Sequence, residues 1–136
     1  MNTKQKGDIA ESKFISLLIE KGYNVSVPFG DNTKYDVVVE NENKELEKVQ
    51  VKHGNHCGDI IKFNLESETS TNGKRNRVSY TKDEVDWFGV YVPETDRYYR
   101  IPFEDTPKTE MWLRLKPPKN NQIERVNLAR DYELHP

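Results

Sequence analysis

Beyond Gly22 the apolar residues of this chain come in short runs of strand length, bounded by Gly, Pro, Asn or Asp. Before Gly22 they follow a different period. Ile9, Ala10, Phe14, Ile15, Leu17, Leu18 and Ile19 recur at helical spacing, which predicts a helix from about Thr3 to Lys21. Gly22 is the residue that closes such a helix. One long helix followed by strands has few ways to bury its apolar faces, and a helix laid across a sheet is the simplest. The expected class is therefore α/β.

The strand-like runs can be ordered. Residues 23–27 alternate, residues 28–32 form a turn or loop, and 35–39 make a second strand with a charge near its start. After a polar turn, 46–53 make a third, so 23–53 reads as a three-stranded antiparallel meander. Residues 54–58 read as a loop and 60–66 as a further strand. The Ser, Thr, Asn, Gly and basic residues of 67–77 read as a mobile loop, and Thr81 to Glu84 has the spacing of a capping box that opens a short helix. The apolar run Trp87 to Val92 is a buried strand, paired with 97–103 as a hairpin around Pro93–Asp96. Met111 to Leu115 is a strand or a helical turn. The 136 residues allow one domain over 1–136, with a core at about 3–103 and a less regular extension over 104–136.

Composition narrows the function only slightly. Net charge is −2, so the whole molecule is no polycation, and any nucleic-acid contact must come from a local basic face. Lys74, Arg75 and Arg77 form the densest basic cluster, and Arg97, Arg100, Arg114, Lys116 and Lys119 recur later. The single cysteine, Cys57, permits no intrachain disulfide and suits a reducing compartment. With no apolar leader and no apolar run of membrane length, the expected location is cytoplasmic, without a membrane partner.

Four polar residues are harder to explain as surface. Glu11 lies on the helix face that carries Phe14, Ile15 and Leu18. Asp36 heads an apolar strand. Gln50 and Lys52 lie two apart on the next long strand, so both point to one face while Val49 and Val51 point to the other. Carboxylates from separate elements suit a hard divalent cation such as Mg²⁺, with Mn²⁺ as a substitute. Such a cation polarises a phosphate and acidifies bound water, and a nearby ammonium stabilises developing negative charge.

Helix-borne Glu11, hairpin-borne Asp36 and the Gln50-Val51-Lys52 strand together resemble the PD-(D/E)XK nuclease superfamily. The likeness covers about residues 7–103 and is similar to the small branch that holds homing endonucleases of bacterial group I introns. It includes the Lys6-Gly7-Asp8-Ile9-Ala10-Glu11 opening, the Pro28-Phe29-Gly30-Asp31 loop, Tyr35-Asp36, the Asp86 to Tyr91 run and the Tyr98 to Pro102 run. The resemblance implies a mixed central sheet flanked by helices, Mg²⁺-dependent cleavage of double-stranded DNA, and a homo-oligomer, dimer or tetramer, with one active site for each strand. Within it, Glu11, Asp36 and Gln50 are the metal ligands and Lys52 completes the catalytic set. Two departures stand out. Tyr35 replaces the motif's proline, and Gln50 replaces its second acid, which leaves a neutral oxygen donor and one less negative charge.

Other residues admit rival roles. Lys74, Arg75 and Arg77 are candidates for DNA phosphates or base edges, against an ordinary solvated surface. His53 and His56 are candidates for DNA phosphate contact near the cleavage site, against exposed loop histidines. His53, His56 and Cys57 also invite a zinc reading, but no fourth ligand lies nearby in the chain. Trp87, Phe88, Tyr91 and Trp112 read as core, and Tyr35 and Tyr80 as packed rings with the hydroxyl at an edge. Besides site-specific cleavage, two functions stay open: a structure-selective nuclease for branched DNA, and a DNA-binding module that has lost catalysis.

Overall fold

The computed structural model describes residues 1–119 and 126–136. In chain order its elements are α1 (Thr3–Glu20), β1 (Asn24–Ser26), β2 (Val37–Glu40), β3 (Leu46–His53), β4 (Asn55–Cys57), β5 (Ile60–Asn64), β6 (Glu66–Thr71), β7 (Lys74–Ser79), β8 (Trp87–Val92), β9 (Arg97–Pro102), β10 (Glu110–Arg114) and β11 (Glu133–Leu134). Single 3-10 turns occupy Phe103–Asp105 and Ala129–Asp131.

α1 is well terminated at both ends. The Asn2 side chain accepts from the Gln5 N–H, while the Gln5 side chain accepts from the Asn2 N–H. At the other end Gly22 takes φ 91°, where a side chain would be strained. Its N–H donates to the Ile19 carbonyl and that of Tyr23 to the Leu18 carbonyl, a Schellman closure.

The main sheet has six strands in the order β1-β2-β3-β8-β9-β11. The meander β1-β2-β3 is antiparallel as expected, and so is the β8–β9 hairpin. β3 and β8 join these halves in parallel, with Gln50 beside Phe88 and Lys52 beside Val90. The sheet is therefore mixed. Asp86 stitches the junction, accepting from the Lys48 N–H through Oδ2 at 2.7 Å and donating its own N–H to the Lys48 carbonyl.

Strand alternation assigns the two faces. Val37, Val39, Val49, Val51, Trp87 and Tyr91 pack against Ala10, Phe14, Leu17 and Leu18 of α1. On the opposite face Phe88, Val90, Val92, Tyr99 and Ile101 pack against Ile61 and Phe63 of β5 and Met111 and Leu113 of β10. That second layer is a small sheet, β10-β5-β4, so among the described residues one face is covered by a helix and the other by strands.

The centre of the helix layer is Phe14. Its ring lies directly over Gly89, where an added Cβ would sit 2.8 Å from Cε1 and 3.0 Å from Cζ. Tyr98 meets the same ring edge-on at 5.3 Å, and Trp87 flanks it at 6.4 Å. Any side chain at position 89 would force the Phe14 ring out of its seat.

Four local expectations change. Residues 67–77 are no loop but most of a β-hairpin, β6–β7, paired from Glu66↔Ser79 to Thr71↔Lys74. Its two-residue turn, Asn72 at φ 53° and Gly73 at φ 75°, is left-handed at both positions, as a type I′ turn requires. Residues 55–57, expected in a loop, pair with β5 as β4. Thr81 to Glu84 has capping contacts, but the helix stops after one turn because Asp86 enters the β3 pairing. Trp112, expected in the core, is 50% exposed on the outer side of the small sheet, with the Lys62 ammonium 4.5 Å over its ring.

Gly89→Ala should destabilise the fold by about 1–3 kcal/mol, the usual cost of overpacking a filled site. A shift in the urea unfolding midpoint measures it, and a midpoint equal to that of the wild type would contradict the seating of Phe14 on the sheet.

Candidate active site

Asp36 is the hub of the candidate site. It stands one residue before β2, where its N–H donates to the Val49 carbonyl at 2.9 Å. The antiparallel register Val37↔Val49 sets it opposite Gln50. Its Oδ2 accepts from the Val51 N–H at 3.0 Å, which fixes the carboxylate against β3. Burial holds its carboxyl above the usual carboxylate range, opposed by that N–H and by the charge of Lys52.

Glu11 reaches the same place from α1. It lines one cavity of about 270 Å³ together with Asp36, Tyr35, Thr33, Asp31 and Pro28. Burial, then Asp36, then Asp8 push its carboxyl upward. Two carboxylates that both resist ionisation because of burial, one of them also facing the other's charge, are the electrostatic signature of a place that a cation would relieve.

Lys52 approaches from the face of β3 opposite α1. It is mostly buried, and burial lowers its ammonium to about 8, opposed by Asp36. Its Nζ donates to the Tyr80 hydroxyl at 3.0 Å and to the Glu66 carbonyl at 3.3 Å. It also lies 4.8 Å over the Tyr80 ring. Gln50 shares this face. Its Nε2 reaches the Val51 carbonyl only at 3.5 Å, so the amide is weakly held and its oxygen can serve a cation.

The site therefore wraps the end of the sheet, with Glu11 on the helix side, Lys52 on the other and Asp36 between. Asp31 is a third acid on the wall of the cavity that Glu11 and Asp36 line. Among the described residues no group of three or more His, Cys, Asp or Glu side chains could hold a metal. His53, His56 and Cys57 are therefore not gathered into a zinc cluster, and a hard cation at Glu11 and Asp36 would need water to complete its shell.

The histidines do not join these residues. His53 alternates with Lys52 on β3, so it faces the α1 side, where burial and Lys6 lower its pKa against the pull of Glu94. His56 is exposed on β4. Lys74, Arg75 and Arg77 stand on β7, whose residues are exposed throughout, with Arg77 Nε 3.8 Å from Glu68. Arg97 and Arg100 are instead tied to Glu133 and Glu47.

Sequence reasoning missed the foot of the hairpin. Tyr80 follows β7 directly and its ring packs edge-on against Phe88 at 5.4 Å. Nearby on β6, Ser67 accepts from the Lys34 ammonium at 3.2 Å. Burial, then Asp36, raise the Tyr80 hydroxyl well above its ordinary value, so it stays neutral. The Asn72-Gly73 pair was the available signal, since it marks a tight hairpin and so brings its two ends together.

Because folded Asp36 keeps its proton to higher pH than the unfolded chain does, its charge destabilises the metal-free protein at neutral pH. That penalty fades as pH falls from the raised value toward the ordinary one. Asp36→Asn, which still accepts from Val51, should melt about 2–5 °C above wild type without metal. Mg²⁺ should then stabilise wild type and not the variant. Equal stabilisation of both proteins by Mg²⁺ would remove Asp36 from the metal site.

The sequence matches the family model described as PD-(D/E)XK endonuclease over residues 1–135. Among solved structures, the chain is similar to a bacterial homing endonuclease, I-Ssp6803I, at 25% identity and a TM-score of 0.76, covering 98% of this chain and 89% of that one. No curated protein sequence matches it.

Proposed function

The chain belongs to the PD-(D/E)XK endonuclease family, and from that premise we propose a site-specific, Mg²⁺-dependent endonuclease of homing type that hydrolyses phosphodiester bonds of double-stranded DNA. The observation that carries this reading is the cavity shared by Glu11 and Asp36, from separate elements, with the charge of Lys52 acting on Asp36 from the other face of the sheet. The solved relative, a bacterial homing endonuclease, supports the finer choice within the family.

Glu11 and Asp36 would hold the cation, with the Gln50 amide oxygen as a neutral third donor. A bound Mg²⁺ supplies Lewis acidity toward the phosphate and toward water. The protein does the positioning. The Val51 N–H fixes the Asp36 carboxylate. Lys52 presents its charge to the scissile phosphate or to the attacking water, in surroundings dry enough to strengthen that attraction.

DNA contact belongs to the β6–β7 ribbon. A two-stranded ribbon fits the major groove, and this one exposes every residue of β7. Lys74 lies on one face of the ribbon, and Arg75 and Arg77 on the other. His53 and His56 are weaker candidates, since neither stands beside the acids. One active centre cuts one strand, so a double-strand cut calls for a second copy of the chain, as dimer or tetramer. No helix among the described residues is long and apolar enough to cross a membrane.

The test is incubation of the purified protein with Mg²⁺ and a randomised duplex library, followed by sequencing of the ends. Discrete cut sites are expected. Asp36→Ala and Lys52→Ala should each reduce cleavage more than about 10³-fold while DNA affinity in Ca²⁺ holds within about twofold. Arg75→Ala should instead weaken binding and its salt dependence. Preference for branched over linear DNA would point to a structure-selective nuclease. Binding without nicking in Mg²⁺ or Mn²⁺ would point to a DNA-binding module.

A further inference from the structure

We propose that Tyr80 is a positioning residue for the reaction, seating the Lys52 ammonium at the foot of the DNA-reading ribbon. This rests on the nuclease reading above. An ammonium has three N–H donors. Two of those on Lys52 are committed, to the Tyr80 hydroxyl at 3.0 Å and the Glu66 carbonyl at 3.3 Å. At most one is left for a phosphate oxygen or a water, so these two contacts decide where it points.

Both acceptors come from the ribbon. Glu66 is the first residue of β6, and Tyr80 follows the last residue of β7. Their backbones are coupled by the Glu66↔Ser79 pairing. The seat is stiff as well. Tyr80 is half-buried with its ring against Phe88, which belongs to the core and pairs with Gln50 across β3–β8. Ser67, the second residue of β6, accepts from the Lys34 ammonium at 3.2 Å, so the loop before Asp36 is tied to the same foot. The element that reads DNA and the group that acts on it therefore share one hydrogen-bonded base. The Tyr80 ring also faces the ammonium at 4.8 Å, a cation–π contact that survives loss of the hydroxyl.

The experiment uses a duplex selected by the wild-type protein from a randomised pool. Single-turnover cleavage in saturating Mg²⁺ is compared with DNA affinity in Ca²⁺ for wild type, Tyr80→Phe and Tyr80→Leu. Tyr80→Phe should slow cleavage about tenfold, as expected for losing one hydrogen bond to a charged group, with affinity unchanged. Tyr80→Leu, which also removes the ring, should be slower still. Should the leucine variant fail to fold, Tyr80→Phe decides alone, because it keeps the ring packed against Phe88. Cleavage at the wild-type rate by Tyr80→Phe, or slowing that disappears once weaker affinity is allowed for, would overturn the proposal and leave the nuclease reading intact. A wild type that selects and cuts no duplex would overturn both.

Discussion

The contact between the Phe14 ring and Gly89 governs the rest of the molecule. A helix can approach a sheet this closely only where the sheet offers no side chain, and β8 offers that gap at its third residue. The ring then docks between Trp87 and Tyr98, and burial of one phenylalanine contributes about 2 kcal/mol. The larger effect is geometric. Glu11 lies three residues before Phe14, on nearly the same side of the helix. Fixing the height and rotation of α1 over β8 therefore fixes where the Glu11 carboxylate meets Asp36.

From that meeting follow the unusual electrostatics. Burial pushes both acids toward their neutral forms and pushes Lys52 the same way, down to about 8. Asp36 and Lys52 hold each other charged in part, whereas Asp36 adds to the pressure that keeps Glu11 neutral. Such a trio is not optimised for the stability of the free protein. It keeps charge available in a place poor in water, at a cost in folding free energy that active sites commonly carry. Gln50 in place of a third acid limits that cost, and it also limits how much positive charge the site can attract.

The sequence was informative where periodicity speaks and silent where pairing partners decide. The helix, its glycine stop, the meander and the β8–β9 hairpin follow from spacing and turn residues. So does the placement of Gln50 and Lys52 on one face, since alternation along a strand is local. The parallel join of β3 to β8 was out of reach, because period two does not carry direction. Trp112 misled through size alone: a large ring at a half-buried position on an outer sheet can lie under a lysine stem as well as in a core. Tyr80 was invisible for a related reason. Its importance comes from the return of a hairpin whose polar, basic strands looked like a loop, and only the Asn72-Gly73 pair argued otherwise.

The type I′ closure of that ribbon has an evolutionary corollary. A two-residue tip leaves no slack, so the arm can grow or shrink only by adding or removing matched residues in both strands. Single-residue changes per strand would swap inner for outer side chains, whereas changes of two per strand, roughly 7 Å of reach, conserve the presented surface. Diversification of such an enzyme toward new targets should therefore favour substitutions along the arm and paired length changes, while the tip dipeptide and the anchoring end stay constant.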